Sequence, residues 1–458
     1  MTTLAWWLIR GSGWPRNLLL AASTAFVSGT ALLVIAVLRL PAEPAERLFQ
    51  VVSDPGTRKG AALAALLLTA PALLLLYQAV RLGSAARDRR LAALRVVGAT
   101  VPEIRVLGAL EVGLPAAAGS VLGIGVYLVL RVLFGGDPSG AGTNWSLVSA
   151  VRLVPTTVVP TWWQTVGVVV GVTALSTLVG WAASRTVTTT PLAVSRRQRR
   201  AAPRPWGLVV VAVAAVGFWF SIRFDDTELL ILAAAATAVI GAMSLASWLG
   251  FRVARAVEAR TGSAPMLLAA RRITADPRAV GRAAAAVGAV SLVAGSTAGL
   301  VAQLLQWRQL DFFFAASVLL VLVLLVIALL FVTVSMSVHG VESLLGRRRE
   351  TAALVALGSP LEELELSQRY EGALVAMPMA ALGVLLGAFG YAGFFFWAIF
   401  STDDGTQLPL LGFAIFGVVT LVFLVGTLAL VWLAIKIAVA GVRPWFRRAT
   451  STSNLRTE

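Results

Sequence analysis

The chain has no cysteine and one histidine, His339, in 458 residues. The missing thiols exclude disulfides and thiolate metal sites, and His339, standing alone at the end of an apolar run, is expected to be incidental rather than a proton switch. Lysine occurs only at Lys59 and Lys436, so nearly every cation is arginine, which hints at a GC-rich bacterial genome. Charge is scarce as well. Asp, Glu, Lys and Arg make up 13% of the chain against 58% hydrophobic residues, and the mean hydropathy is +0.85. No G-x-x-x-x-G-K-[ST] run occurs, so the chain has no loop of its own to cradle ATP phosphates. No carboxylate pair lies inside an apolar run, which leaves a proton relay without support. No nucleophile and base stand in a catalytic pattern, and the chain is expected to be non-enzymatic, without cofactor or metal.

What is abundant is apolar sequence in long runs. A soluble domain of this length has no core large enough to hide it, so the chain reads as an all-α polytopic membrane protein. A helix needs about 20 apolar residues to cross about 30 Å of hydrocarbon. Ten charge-free runs approach that length: 18–38, 61–80, 112–130, 165–184, 206–222, 229–251, 283–305, 312–338, 372–400 and 408–435. The fifth is the shortest. The first is long and lacks a small-residue cleavage site, so it is expected to be a retained span rather than a signal peptide.

With the N-terminus inside, 30 of the 38 Arg and Lys residues fall in inner segments. Basic residues near span ends stay cytoplasmic, so both termini are predicted to be cytoplasmic. The net charge of +16 follows from the same asymmetry. Contact with anionic lipid headgroups accounts for it, and nucleic acid is not expected as a partner. Runs such as Arg196 to Arg200 and Arg447 to Arg448 read as inner-leaflet contacts. On the outer side, Trp145, Trp162 and Trp163 read as interfacial anchors, and Asp225, Asp226, Glu228, Asp403 and Asp404 as solvated turns.

The chain is internally duplicated. Shifted by 260 residues, "RDRRLAALRVVGATVPEIRVLGALEVGLPAAAG" (87–119) lies on "RRRETAALVALGSPLEELELSQRYEGALVAMPM" (347–379) without a gap, with ten of 33 positions identical. Arg87/Arg347, Arg89/Arg349, Gly98/Gly358, Glu103/Glu363 and Glu111/Glu371 are among the matches. A fainter match precedes each first span and aligns Arg10, Pro15 and Arg16 with Arg272, Pro277 and Arg278. Each unit therefore has a lead-in, two spans, a charged element and two more spans. Four spans per unit make the repeat parallel, unlike an inverted transporter repeat. The expected domains are 1–205, a two-span insert at 206–251, and 252–458.

The charged elements, 84–105 and 344–369, carry their own local code. Leu91, Leu94 and Val97 recur at helical spacing, as do Ala353, Leu354 and Leu357. Gly98 and Gly358 stand where a glycine ends a helix. "TVPE" (100–103) and "SPLE" (359–362) follow at once, each a hydroxyl residue with Glu three positions on, a capping-box pattern. A short helix, a tight break and a second helix running into the next span are predicted: an elbow. Glu111 and Glu371 open the following spans and are expected to pair with near neighbours such as Arg105 or Arg369, a role in transmitting elbow motion being the sharper alternative.

This arrangement resembles the FtsX/MacB-like permeases of ABC transporters. The second unit keeps Arg348, Arg349, Glu350, Leu354 and Gly358 of that family's repeat; the first keeps Leu94, Arg95, Gly98 and Ala99 but has Arg90 where Glu is usual. "TPLAV" (190–194) is similar to the family's Pro-containing end of the fourth helix, and "VRPWF" (442–446) is a weaker echo. The two added spans are similar to the ten-helix BceB-like branch. The resemblance implies that the elbows are coupling helices seated on a cytosolic ABC ATPase dimer, which supplies ATP and Mg. The implied coupling residues are Arg87, Arg89, Arg90, Leu94, Arg95, Gly98, Glu103, Arg347, Arg348, Arg349, Glu350, Leu354, Gly358 and Glu363. The loops at 39–60 and 306–311 leave no room for the large outer domain common in the family. The expected function is a permease in the bacterial plasma membrane that moves or extracts a lipid or peptide antibiotic. The alternatives are a signalling complex without transport and an ion-coupled secondary exporter.

Overall fold

A computed structural model of the chain describes residues 14–41, 52, 58, 62, 65, 69–81, 93, 94, 97–135, 154–183, 202–221, 228–306, 312–401 and 410–449. Among them every regular element is a helix. The chain divides into two compact units, Met1–Gln198 and Arg199–Glu458.

The first unit contains α1 (Trp14–Leu38), α2 (Ala70–Arg81), α3 (Val101–Gly135) and α4 (Trp162–Ala183). Helix α1 packs against all three others. Leu20 of α1, Leu76, Ala79 and Val80 of α2 and Val112 of α3 form one buried cluster, with Val179 of α4 against it. Further along the same helices, Leu32, Ala36 and Tyr127 form another. Small residues set the spacing. A Cβ placed on Gly123 of α3 would lie 2.5 Å from the Ser28 side chain and 2.8 Å from the Ala25 carbonyl of α1. Lipid tails give apolar helices no reason to leave them, so close backbone approach over small residues is what holds membrane helices together.

The second unit contains α5 (Trp206–Ser221), α6 (Glu228–Glu258), α7 (Ala264–Ala275), α8 (Pro277–Gln306), α9 (Phe312–Gly346), α10 (Arg348–Ala356), α11 (Leu361–Ser401) and α12 (Leu410–Ala449). Its most extensive packing is α8 on α11, the counterpart of α1 on α3. The same device recurs 260 residues on: a Cβ on Gly383 would lie 2.7 Å from the Gly288 carbonyl. The repeat thus continues past the aligned stretch into the span packing. Helices α5 and α6 pack on each other, and α6 also packs on α7 and α8.

Seven helices among the described residues are long and apolar enough to cross a membrane: α1, α3, α4, α8, α9, α11 and α12. Their exposed side chains include Val166, Val170, Leu322, Val418, Leu421 and Val425, as expected of surfaces that face hydrocarbon. The other three expected spans fall on α2, described only from Ala70, on α5 with 16 residues, and on α6 with 31. Helices α3 and α11, with 35 and 41 residues, are about 50 and 60 Å long at 1.5 Å per residue. Both exceed the hydrocarbon thickness, so each projects beyond it as the rigid continuation of a span.

Candidate functional site: two matched elbows

Both elbows end their first helix in the same way. Gly98 has φ of +109° and Gly358 of +92°, a left-handed conformation that glycine adopts without the Cβ penalty. The Ala99 N–H donates to the Leu94 carbonyl at 3.0 Å, and the Ser359 N–H to the Leu354 carbonyl, also at 3.0 Å. In the second elbow the Gly358 N–H also donates to the Val355 carbonyl at 2.9 Å. These are the bonds of a Schellman stop, which satisfies carbonyls that a helix end leaves open. The apolar contact that accompanies it is present too: Leu94 and Ala99 pack on buried Ile104 and Leu107. In the second unit, Leu354 and Val355 pack on buried Leu344, Leu364, Val442 and Phe446. Ile104 and Leu364 are matched positions of the repeat, so each elbow is folded back on its own following helix.

The restart differs between the units. In the first, the Glu103 carboxylate accepts from the Thr100 N–H and from its hydroxyl, each at 2.8 Å, which is the return half of a capping box. These two bonds hold the Glu103 side chain against the turn. In the second, the expected box at Ser359 and Glu362 does not form. The Ser359 N–H is already committed to Leu354, and Pro360, in the place of Thr100, has no N–H to give. Glu362 and Glu363 stand exposed in the first turn of α11 instead, where the helix dipole favours them.

The tips are apolar and bare. Val97 is 87% exposed and Leu357 84%, at matched positions immediately before the glycines. Arg348, Arg349 and Glu350 are exposed in the first turn of α10. Arg87, Arg89, Arg90 and Arg95 lie outside the described residues, as do Trp145, "TPLAV", and the outer acids Asp225, Asp226, Asp403 and Asp404. "VRPWF" closes α12, where Val442 and Phe446 are buried beneath the second elbow and Arg443 reaches Glu365 at 3.1 Å.

Glu111 and Glu371 are buried, but the expected near-neighbour pairs are not made. Glu371 and Arg369 are two residues apart and point to different sides of α11. At 3.6 residues per turn, the six-position step from Arg105 to Glu111 also carries them to different sides of α3; Arg105 lies instead over the Trp181 ring at 5.6 Å. Glu111 takes an arginine 95 residues away: Arg16 Nη1 is 2.6 Å from Glu111 Oε1, with both side chains at most 2% exposed. Arg16 Nε also donates to the Ala79 carbonyl at 3.1 Å, so one guanidinium joins α1, α2 and α3.

In the second unit Glu371 lies between Arg272 of α7 at 3.9 Å and Arg347, the N-cap of α10, at 3.7 Å. Burial pulls the Arg272 guanidinium below its ordinary range, against the pull of Glu371. Arg278, which aligns with Arg16, is exposed; the role passes to Arg272. Beside Glu371 is a cavity of about 50 Å³ lined also by Gln368 and His339. His339, partly buried, lines the same cavity. For Arg16 and Glu111 the sequence signal is a charge at the rim of each apolar run, 18–38 and 112–130; Arg272 and Arg347 stand away from any rim and carry no such signal.

Residues 62–192 match the family model of the FtsX-like permease C-terminal domain. Over that stretch the chain is similar to the FtsX-like permeases. The match contains the first elbow and the spans on either side of it. No curated protein and no solved structure matches the chain. FtsX-like permeases are non-enzymatic membrane components of ABC transporters and generally work with cytosolic ABC ATPases; this chain, with its several long apolar helices, is a multi-pass membrane protein.

Proposed function

We propose that this permease is driven by a separate cytosolic ATPase dimer seated on its two elbows, and that the elbows convert closure of that dimer into movement of the spans. The observation that carries the reading is the pair of matched left-handed glycine stops with bare apolar tips at Val97 and Leu357. A large apolar side chain held in the open by a rigid turn is suited to a pocket on a partner. In the second elbow the exposed Arg348, Arg349, Glu350 and Glu363 add charge near the tip.

Force entering an elbow has a stiff route inward. Helices α3 and α11 are continuous from the elbow into the span, and Glu111 and Glu371 tie them at depth to the lead-in segments. Glu371 also holds Arg347 at the start of the second elbow, so displacement of α10 reaches α7 and α11 together. The substrate class best matched to a wall of exposed aliphatic side chains is a hydrophobic or amphipathic molecule, a lipid or peptide antibiotic, moved across or extracted from the bacterial plasma membrane. The elbows and both termini face the cytoplasm in this reading.

Purification of the permease from its native membrane tests it. An ATPase subunit is expected to accompany the wild type and to be lost from the double variant Val97→Asp, Leu357→Asp, whose thermal unfolding stays unchanged because both side chains are exposed. Proton-dependent transport by the purified chain alone, with no ATPase attached, overturns the reading. Stimulation of ATP hydrolysis by candidate lipids and peptides then identifies the substrate.

A further inference from the structure

The second unit contains a hollow that the elbow mechanism does not use. It has a volume of about 260 Å³ and lies between α8, α9 and α12, within the membrane-spanning part of all three. An apolar cavity of about 150 Å³ already holds a benzene-sized ligand, so this one takes a longer apolar group. Its floor is buried, formed by Val287, Ser291, Ala294 and Val431. Its rim is exposed, with Val326 at 53% and Val422 at 63%, so it opens sideways onto whatever surrounds the spans. Around a membrane span that medium is hydrocarbon chains.

Two details argue against a hollow left by imperfect packing of side chains. Gly426 of α12 lines it, and no atom lies within 4 Å of where a Cβ on this residue would stand. The glycines of the α8–α11 crossing are needed for close backbone approach, whereas Gly426 approaches nothing; its missing side chain is part of the empty volume. Ser291 lines the floor at 1% exposure, and among the described residues its hydroxyl has no hydrogen-bond partner. Ser296 and Thr297 on the same helix donate to carbonyls four residues back. Among the described residues the only other polar side chain in the wall is Thr427, and two hydroxyls are too few to hold an ion or a charged headgroup.

We infer that this hollow is a binding site for a single acyl chain of a bilayer phospholipid, which enters sideways between α9 and α12. The inference does not depend on the elbows or on transport. The occupied site keeps α9 and α12 apart, so the chain must leave before these helices can close on α8.

The test uses the full-length permease in phospholipid vesicles carrying a phospholipid with a photoactivatable diazirine on one acyl chain, with labelled residues mapped by mass spectrometry. Labelling is expected to concentrate on the facing sides of α8, α9 and α12, to be lost in Gly426→Leu, and to persist in Gly417→Leu. Gly417 is equally unencumbered on the same helix but does not line the hollow. Gly426→Leu places its side chain in open space and replaces a poor helix former, so it folds, and its thermal unfolding in detergent checks this. Labelling of the hollow at wild-type strength in Gly426→Leu overturns the inference. So does labelling no denser there than on the exposed face of α4, which marks ordinary annular lipid.

Discussion

Glu111 and Glu371 occupy one register position in the two units, yet they are held differently. Glu111 meets Arg16 at 2.6 Å with both partners buried, while Glu371 stays 3.7 Å and 3.9 Å from two arginines, beside a cavity. A short, fully buried pair leaves one arrangement of charges, because any separation strands a charge in a medium of low dielectric. Two longer contacts next to open volume leave several arrangements of similar energy. The first unit is therefore anchored at its lead-in and the second is compliant, and in the proposed mechanism the duplicated elbows deliver the same push to unequal supports.

Removing the anchors separately is the sharpest way to break this comparison. Arg16→Ala leaves a carboxylate buried without its cation and is expected to lower stability by about 3–5 kcal/mol, read as thermal unfolding in detergent. Replacing both partners, Arg16→Met with Glu111→Leu, is expected to recover most of that loss. Glu371→Gln keeps the shape, loses no direct hydrogen bond, and is expected to lower the same measurement by clearly less than Arg16→Ala does. Equal losses in Arg16→Ala and Glu371→Gln would erase the distinction between anchor and compliant joint.

Where the units are alike, the variants must agree. Gly98→Ala and Gly358→Ala each force a residue with Cβ into left-handed backbone, at a cost of about 1–2 kcal/mol. No neighbouring atom stands within 4 Å of either new Cβ, so the two losses are expected to match. A markedly larger loss at one glycine would mean that the two stops are not equivalent. The smallest effect is expected from Arg443→Ala. Its pair with Glu365 is largely exposed on the arginine side, and such pairs contribute about 0–1 kcal/mol; a larger loss would assign the end of α12 a bracing role.

The spans and the elbows were legible because both are local. Charge-free runs mark the spans, and the stop at each elbow needs only a helical pattern that ends in an apolar residue followed by a glycine. The alignment extended the reading to the second unit. Two errors come from the same source, chemistry that depends on what another group has already claimed. The second capping box fails because Ser359 has given its N–H to Leu354 and Pro360 has none. The pairing of Glu111 and Glu371 was misread because sequence proximity stands in poorly for helix facing, and the true partner of Glu111 is 95 residues away. The hollow beside Gly426 had no sequence signal at all, since a glycine in a span reads as a packing residue until its neighbours are known.

The left-handed glycine at each elbow sets a bend by backbone conformation alone. Neither the angle nor the direction of the protruding tip waits for a partner to arrive. A subunit that binds there meets a finished shape and loses little freedom in ordering it, so what it gains on contact remains available as mechanical work on the helix behind.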